Sequence, residues 1–378
     1  MPQHLTASQS YVFRDGEPTI ASLLKQAGYA TACVGKWHLG AQSKSPIDWN
    51  KPLTPGPRTA GFDYYFGVIN SHNQTPFVLV ENETILGLKP DDPITVEGDR
   101  KQLTGPRSRD ENQLETVQAA KAVEFIEQHR DGPFFLYFPT AAVHDPYTPS
   151  PERTGQSELG VYGDYVVEFD WAVGQVLTAL DRHQLTDNTL VVVTSDNGGQ
   201  TNRGIKQGHK VNGDLRGHKA TAWEGGHRVA YLVRWPGHVP AGTTCAETIC
   251  HVDVMATLCA ALKIELPTNA GPDSFNVLPA WLGESSAAPL REATVCVSQD
   301  VAVVSVRQGS WKLMFNNPSL KKESRYAIAG PELYDLAADP AEQNNLYAAK
   351  PEKAAELEGV WKRYNDQGFS RPGWRAAP

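Results

Sequence analysis

The 378-residue sequence has little cysteine, no block of charge of one sign and no long apolar run. Its five cysteines, Cys33, Cys245, Cys250, Cys259 and Cys296, form no CxxC and no Cys/His zinc spacing, so neither a zinc ribbon nor a disulfide scaffold is implied. Their odd number leaves at least one unpaired within the chain. No stretch approaches the ~20 apolar residues that span a bilayer. Residues Met1 to Ser10 carry neither a charged n-region nor an apolar h-region, so no membrane span and no export signal are expected in the chain as written. A net charge of -8, spread without blocks, argues against a nucleic-acid footprint and against a polybasic membrane patch. Any anionic ligand must therefore meet local positive charge.

What is present is an ordinary globular balance, 40% apolar and 21% charged, in a chain longer than one core usually serves. One large α/β domain with a smaller companion is expected, 1–288 and 289–378. Ile20, Leu23, Leu24 and Ala27 repeat at helical spacing, with Thr19 as N-cap and Gly28 beyond the end. A buried strand from Ala30 to Val34 follows and delivers Gly35-Lys36-Trp37-His38-Leu39-Gly40 at its C-terminal end. From Ala41 to Arg109 the Pro, Gly and charge content predicts long loops. Within them Trp49, Tyr64, Tyr65 and Phe66 are candidates for stacking on a sugar or aryl group, or equally for core packing. Helices near Glu111–His129 and Tyr162–Arg182 then alternate with strands at Phe134–Phe138, Leu190–Thr194 and Arg228–Trp235, and a helix spans His251–Lys263. Apolar strands alternating with helices predict a mainly parallel sheet between helices, which binds ligands beyond its strands' C-terminal ends. Short β runs from Thr294 to Phe315 and a last helix over Pro351–Tyr364 predict a small antiparallel sheet with one helix.

Four segments can carry chemistry, and each has a plainer explanation. Thr194-Ser195-Asp196-Asn197-Gly198-Gly199 places a carboxylate and an amide after an apolar strand, oxygen ligands of the kind hard cations take; an Asp-Asn-Gly turn accounts for it equally well. Lys36 and His38, two apart on an extended segment, would point to one side and grip an anionic oxygen, although a snorkelling lysine and a capping histidine also fit. His144, in Ala141-Ala142-Val143-His144-Asp145-Pro146, follows a strand, where a lone loop histidine is more often structural. Lys219 lies in a Gly-rich basic loop running from Leu215 to Val229, for which a solvated loop is the default.

In combination and in this order they resemble a known family. Gly28-Tyr29-Ala30-Thr31 with Gly35-Lys36-Trp37-His38-Leu39-Gly40 resembles the second signature of the type I, formylglycine-dependent sulfatases, and the histidine, the Ser-Asp-Asn-Gly motif and the Lys before Trp223-Glu224-Gly225-Gly226-His227-Arg228-Val229 follow in the family's order. Val252 to Leu258 and Glu332-Leu333-Tyr334-Asp335-Leu336 resemble its closing helix and C-terminal segment, so the likeness covers Thr19 to Trp361. It implies an alkaline-phosphatase-like α/β fold and hydrolysis of sulfate esters of a small molecule or glycan. By the same likeness Lys36, His38, His144 and Lys219 bind and polarise the sulfate, and His144 or His38 assists proton transfer. Ser71 adds a substrate contact, and Asp196 with Asn197 holds a divalent cation, usually calcium. Full-length relatives are commonly exported. Phosphomonoester or phosphonate hydrolysis on the same superfold, and non-catalytic binding of sulfated glycans, are the alternatives.

Two parts of the family's pattern have no counterpart in residues 1–35: the Asp-Asp pair ending the first strand, and the Cys/Ser-x-Pro-x-Arg whose first residue becomes formylglycine. Cys33 cannot substitute, having no Pro or Arg in register, and Asp91-Asp92 reads as a turn in a Lys-Pro-Asp-Asp-Pro loop. The expectation is therefore a chain without its nucleophile, inactive alone, and binding calcium weakly because Asp196 and Asn197 supply two or three of the roughly 6–8 oxygens calcium takes.

Overall fold

Thr19 and Ser22 start the first helix reciprocally: the Ser22 N–H donates to Thr19 Oγ1 at 3.0 Å and the Thr19 N–H to Ser22 Oγ at 2.9 Å. Helix α1 (Ile20–Gln26) buries Ala21, Leu23 and Leu24 and hands the chain to β1 (Ala30–Lys36). This computed structural model is described for residues 10–200, 208–284, 286–320 and 323–376. The chain divides into two compact units, one ending at Asp187 and one continuing from Asn188.

In the first unit β1 is the middle of the sheet. Its alternate residues serve two cores, Ala32 and Val34 on one face with Leu114, Ala122 and Phe125, and Cys33 on the other with Trp37, Phe62 and Tyr65. A strand buried on both faces reads as a continuous apolar run, which is why it was visible in the sequence. Strand β2 (Tyr64–Val68) pairs parallel with β1, Lys36 standing opposite Val68. Short antiparallel strands β3 (Val80–Glu81) and β4 (Thr84–Ile85) extend that side, and β5 (Thr95–Glu97) pairs with β6 (Lys101–Thr104) as a separate hairpin. Helix α2 (Leu114–Gln128) leads to β7 (Phe134–Tyr137), parallel to β1 on its other side, and α3 (Val161–Arg182) packs against α2. The sheet order is β4-β3-β2-β1-β7, parallel at its heart and antiparallel at one margin.

The expectation of loops from Ala41 to Arg109 is corrected by β2, which contributes a parallel strand to the centre of the sheet. Its aromatics are packing residues: Tyr65 and Phe66 are buried, as is Trp49, and the half-buried Tyr64 hydroxyl donates to Glu81 at 2.7 Å. Two glycines let β1 and β2 approach the chain after β7. Gly35 (φ +132°) and Gly67 (φ +154°) face each other in register; a Cβ on Gly67 would lie 1.8 Å from the Gly35 oxygen, and one on Gly35 2.1 Å from the Pro139 oxygen.

The second unit opens with β8 (Val191–Thr194), antiparallel to β9 (Tyr231–Arg234), and continues into the helix Val254–Leu262. Strands β10 (Thr294–Val297), β11 (Val303–Gln308), β12 (Trp311–Asn316) and β13 (Glu332–Asp335) form an antiparallel sheet in that order, as the short β runs predict. Leu357 and Val360 of the helix Pro351–Gln367 close a core with Val304, Val306, Leu313 and Leu333. The boundary expected after 288 falls within this unit, just ahead of β10. No helix among the described residues is long and apolar enough to cross a membrane.

Candidate active site

Beyond β1 the parallel ladder continues for three bonds. The Lys36 N–H donates to the Pro139 carbonyl at 2.7 Å, that of Trp37 to Val68 at 2.9 Å and that of His38 to Ile69 at 2.8 Å. Trp37 sinks into the core and donates Nε1–H to the Gly40 carbonyl at 2.8 Å. The extended geometry expected to aim Lys36 and His38 to one side does not hold, because the strand ends at Lys36 and His38 has a left-handed φ of 53°. A turn, pinned by Trp37, places His38 instead.

Ser71 comes two residues after Ile69. It is buried, and its Oγ has no hydrogen-bond partner among the described residues. A buried hydroxyl without a partner is costly, roughly 1–3 kcal/mol, and calls for a ligand or water to satisfy it. Next to it the wholly buried His72 bonds through Nε2 to the His144 carbonyl at 3.1 Å, and the two rings meet edge to face at 5.6 Å. A carbonyl only accepts, so His72 Nε2 carries the hydrogen. His144 Nδ1 contacts the Asp145 carbonyl at 2.6 Å, so in the neutral ring it is Nε2 that holds the lone pair. Backbone contacts thus set Lys36, His38, Ser71 and His144 on the segments that follow the C-terminal ends of β1, β2 and β7.

Residues that local sequence patterns do not reveal support this group. Arg109 donates to the His72 carbonyl at 2.6 Å and through Nε to Glu111 at 2.7 Å, and Glu111 lies 3.7 Å from His72 Nδ1. Glu115, in the first turn of α2, accepts the N–H groups of Ala141 at 2.6 Å and Ala142 at 3.2 Å, the backbone immediately before His144. Burial pushes the Glu115 carboxyl up to about 7, those two bonds opposing the shift. His72 stands next to the Ser71 that the family likeness singles out, yet was not itself read as a site residue; nothing near Glu115 shows that a helical glutamate turns inward.

In the second unit Asp196 and Asn197 follow β8, and the structure ties their turn to the Lys219 loop. The Gly198 N–H donates to Gly226 at 3.0 Å and the Lys219 N–H to Gly199 at 3.1 Å, while Asn212 clasps the Gly199 N–H at 2.7 Å and its carbonyl at 3.1 Å. A Cβ on Gly198 would sit 1.8 Å from the Gly225 oxygen, so glycine is required for this approach. Behind the loop, the wholly buried Lys312 of β12 lies 2.9 Å from Glu224 and 2.8 Å from Glu342, and Glu342 also accepts the Glu224 N–H at 2.7 Å. Burial opposes the charge on Glu224, but Lys312, His227 and Arg307 outweigh it and hold that carboxyl below its ordinary range. Burial dominates at Glu342 and raises it.

Asp196 is exposed, and the Asn197 amide donates to the Gly198 carbonyl at 3.0 Å, leaving its Oδ1 as acceptor. Two carboxylate oxygens and one amide oxygen do not complete a calcium shell of roughly 6–8. Among the described residues no group of three or more His, Cys, Asp or Glu is placed to hold a metal ion. Asp91-Asp92 forms the expected turn, the Asp92 N–H donating to Lys89 at 3.1 Å.

Parallel strands beside helices, with loops after their C-terminal ends, define an α/β protein of the kind that binds ligands at that edge of its sheet. The family model Sulfatase matches residues 2–264, and the chain belongs to the sulfatase family, whose members are sulfuric ester hydrolases. It is 35% identical to the N-acetylgalactosamine-6-O-sulfatase of Bacteroides thetaiotaomicron, over 90% of this chain and 75% of that protein. Rat steryl-sulfatase is 33% identical over 71% of this chain, which spans 55% of that protein's length. A solved structure from work on glycosaminoglycan metabolism by Bacteroides thetaiotaomicron superimposes with a TM-score of 0.88 at 32% identity, covering 96% of this chain and 84% of that one. A Pseudoalteromonas sulfatase structure superimposes at 0.75 with 21% identity, covering 99% and 78%, a likeness of fold.

Proposed function

We propose that the protein recognises sulfate esters of glycans, amino-sugar sulfates in particular, through Lys36, His38, Ser71 and His144. The observation that supports this is the position of these residues on the segments after β1, β2 and β7, with Ser71 Oγ buried and unpartnered among the described residues. A sulfate ester is a monoanion with three acceptor oxygens. Lys36 supplies the charge and Ser71 an O–H donor. His144, through Nε2 of its protonated ring, or His38 adds an N–H donor to a sulfate oxygen. Identity to a relative named for N-acetylgalactosamine 6-sulfate favours a glycan over an aryl ester. Within the second unit by itself, Lys219 offers positive charge for an anion, and Asp196 with Asn197 takes a divalent cation weakly.

The residues ahead of Lys36 contain no Cys/Ser-x-Pro-x-Arg, the motif whose formylglycine supplies the nucleophile in this family. Loss of a nucleophile costs roughly 10^6 in turnover in enzymes that use one, so this chain alone should bind without hydrolysing. Calorimetric titration with N-acetylgalactosamine 6-sulfate, the 6-phosphate and the unsubstituted sugar tests the reading, with sulfate release followed in parallel. Selective binding of the sulfate, at least tenfold weaker in Lys36→Ala, is expected. Preference for the phosphate would favour phosphomonoester recognition instead, and no binding of the sulfated sugar would sink the proposal. Sulfate release above the blank would overturn the expected inactivity.

A further inference from the structure

We infer that His72 is a positioning residue for His144, a buried strut that sets the His144 ring for the sulfate by holding its carbonyl and packing against its ring. The inference rests on the reading that His144 meets the ligand. His72 is 0% exposed and so touches no ligand itself, whereas the His144 side chain keeps 27% of its surface exposed. The contact joins residues 72 apart in the chain, one after β2 and the other after β7. His72 donates Nε2–H to the His144 carbonyl at 3.1 Å, and the rings meet edge to face, with centroids 5.6 Å apart and planes at 84°.

A strut holds only if its far end is fixed. The His72 carbonyl accepts Arg109 Nη2 at 2.6 Å; Arg109 is itself buried, bonded through Nε to Glu111 at 2.7 Å and lying 5.3 Å from the centre of the Phe77 ring. The other ring nitrogen adds no bond. Glu111 Oε2 stands 3.7 Å from His72 Nδ1, beyond hydrogen-bond range, and neither atom has a hydrogen-bond partner among the described residues. His72 therefore acts through Nε2. Two further bonds of His144 are local, its N–H to the Ala141 carbonyl at 2.9 Å and its Nδ1 to the Asp145 carbonyl at 2.6 Å, and they shape the turn without fastening it to another strand's segment. Glu115 holds the backbone ahead of this turn, and His72 reaches the histidine itself. Without the strut the His144 carbonyl loses a donor and its ring a neighbour, so the ligand meets an N–H donor that is no longer set in place beforehand.

The test is a double-mutant cycle on the whole chain, read by calorimetric titration with N-acetylgalactosamine 6-sulfate. His72→Leu should weaken binding roughly tenfold, about the value of one hydrogen bond. Acting through His144, the same change should add less than about twofold in a His144→Ala chain, and losses that multiply independently to roughly a hundredfold would overturn the inference. Should His72→Leu fail to fold, two amides decide. The Gln amide nitrogen reaches the place of Nε2 and the Asn one that of Nδ1, so His72→Gln should bind within about threefold of the native chain and His72→Asn roughly tenfold more weakly. Equal binding by the two would overturn the inference. The free chain gives a readout that needs no sugar: in nitrogen NMR spectra of isotopically labelled histidine, the His144 ring signals should move in His72→Asn and keep their native positions in His72→Gln. Signals indifferent to both changes would overturn the inference. A native chain that binds no sulfated sugar, with its His144 signals responding as expected, would sink the reading of the site and leave the positioning of His144 standing.

Discussion

Replacing Lys312 by Met should destabilise the second unit by about 3–5 kcal/mol, the cost of stranding buried carboxylates. Lys312 is 0% exposed, and its ammonium lies 2.9 Å from Glu224 and 2.8 Å from Glu342. At an effective dielectric of about 20, each such contact is worth roughly 6 kcal/mol before desolvation is subtracted. Glu224 keeps Arg307 at 3.4 Å and Arg228 at 3.8 Å, both partly solvated, so the loss falls mainly on Glu342. For a unit of this size 1 kcal/mol moves the melting temperature by roughly 2–4 °C, so a fall of roughly 6–20 °C is expected. The sign with pH is fixed by the carboxylates. Burial already raises Glu342; without Lys312 it rises further, and Glu224 loses the main charge that holds it low, so it rises too; a raised carboxyl favours the folded state below its unfolded pKa and loses that advantage as pH climbs. The deficit of Lys312→Met should therefore be larger at pH 8 than at pH 5 in thermal melts followed by circular dichroism. Adding Glu224→Gln and Glu342→Gln should recover most of it. A melting temperature within about 2 °C of the native chain at pH 8 would refute the reasoning, since a buried ion lost without consequence contradicts the cost of burying its partners.

Glu115→Gln should flatten the pH dependence of stability: the native carboxyl, raised to about 7 by burial, stabilises the folded state below its unfolded value and loses that contribution as pH rises through 7. The slope removed is on the order of 3 kcal/mol between about pH 4.3 and 7, read from urea melts. Gly67→Ala should cost about 3 kcal/mol or prevent folding, because its new Cβ would meet the Gly35 backbone oxygen at 1.8 Å and backbone cannot swing aside; soluble yield and thermal melts check it. Asp196→Asn should reduce terbium luminescence sensitised by the chain while leaving the melting temperature unchanged, Asp196 being exposed. His144→Ala should weaken sulfated-sugar binding roughly tenfold with little loss of stability, read by the same calorimetry, about the value of one charge-assisted hydrogen bond.

Elements set by local chemistry were readable in the sequence. The Thr19/Ser22 cap, the doubly buried β1 and the alternation of helices with strands each follow from a few adjacent residues. Strand β2 was hidden because five residues, one of them a glycine needed for close approach to β1, sit among prolines and charges that signal loop. Its aromatics looked equally like a stacking platform, and only pairing with β1 turned Tyr65 and Phe66 into core. His38 was located, but its orientation depended on a left-handed φ that no residue pattern announces.

The supports of the site were illegible for a single physical reason: they act at long range in sequence. Glu115 holds the backbone before His144 from a helix some 26 residues earlier, and Lys312 holds the Glu224 turn from a strand 88 residues later. A helical glutamate and a strand lysine are ordinarily solvated, so their type points the wrong way until burial is known. The candidate contact residues could be named because they lie in short stretches after strands, where a resemblance to a family can be carried over residue by residue. Their supports come from elements whose pattern is already explained by packing. It follows that substitutions at Lys36 or His144 should change binding more than stability, and one at Glu115 stability first, with binding following only where the backbone before His144 is lost; Lys312 should act on the stability of its own unit.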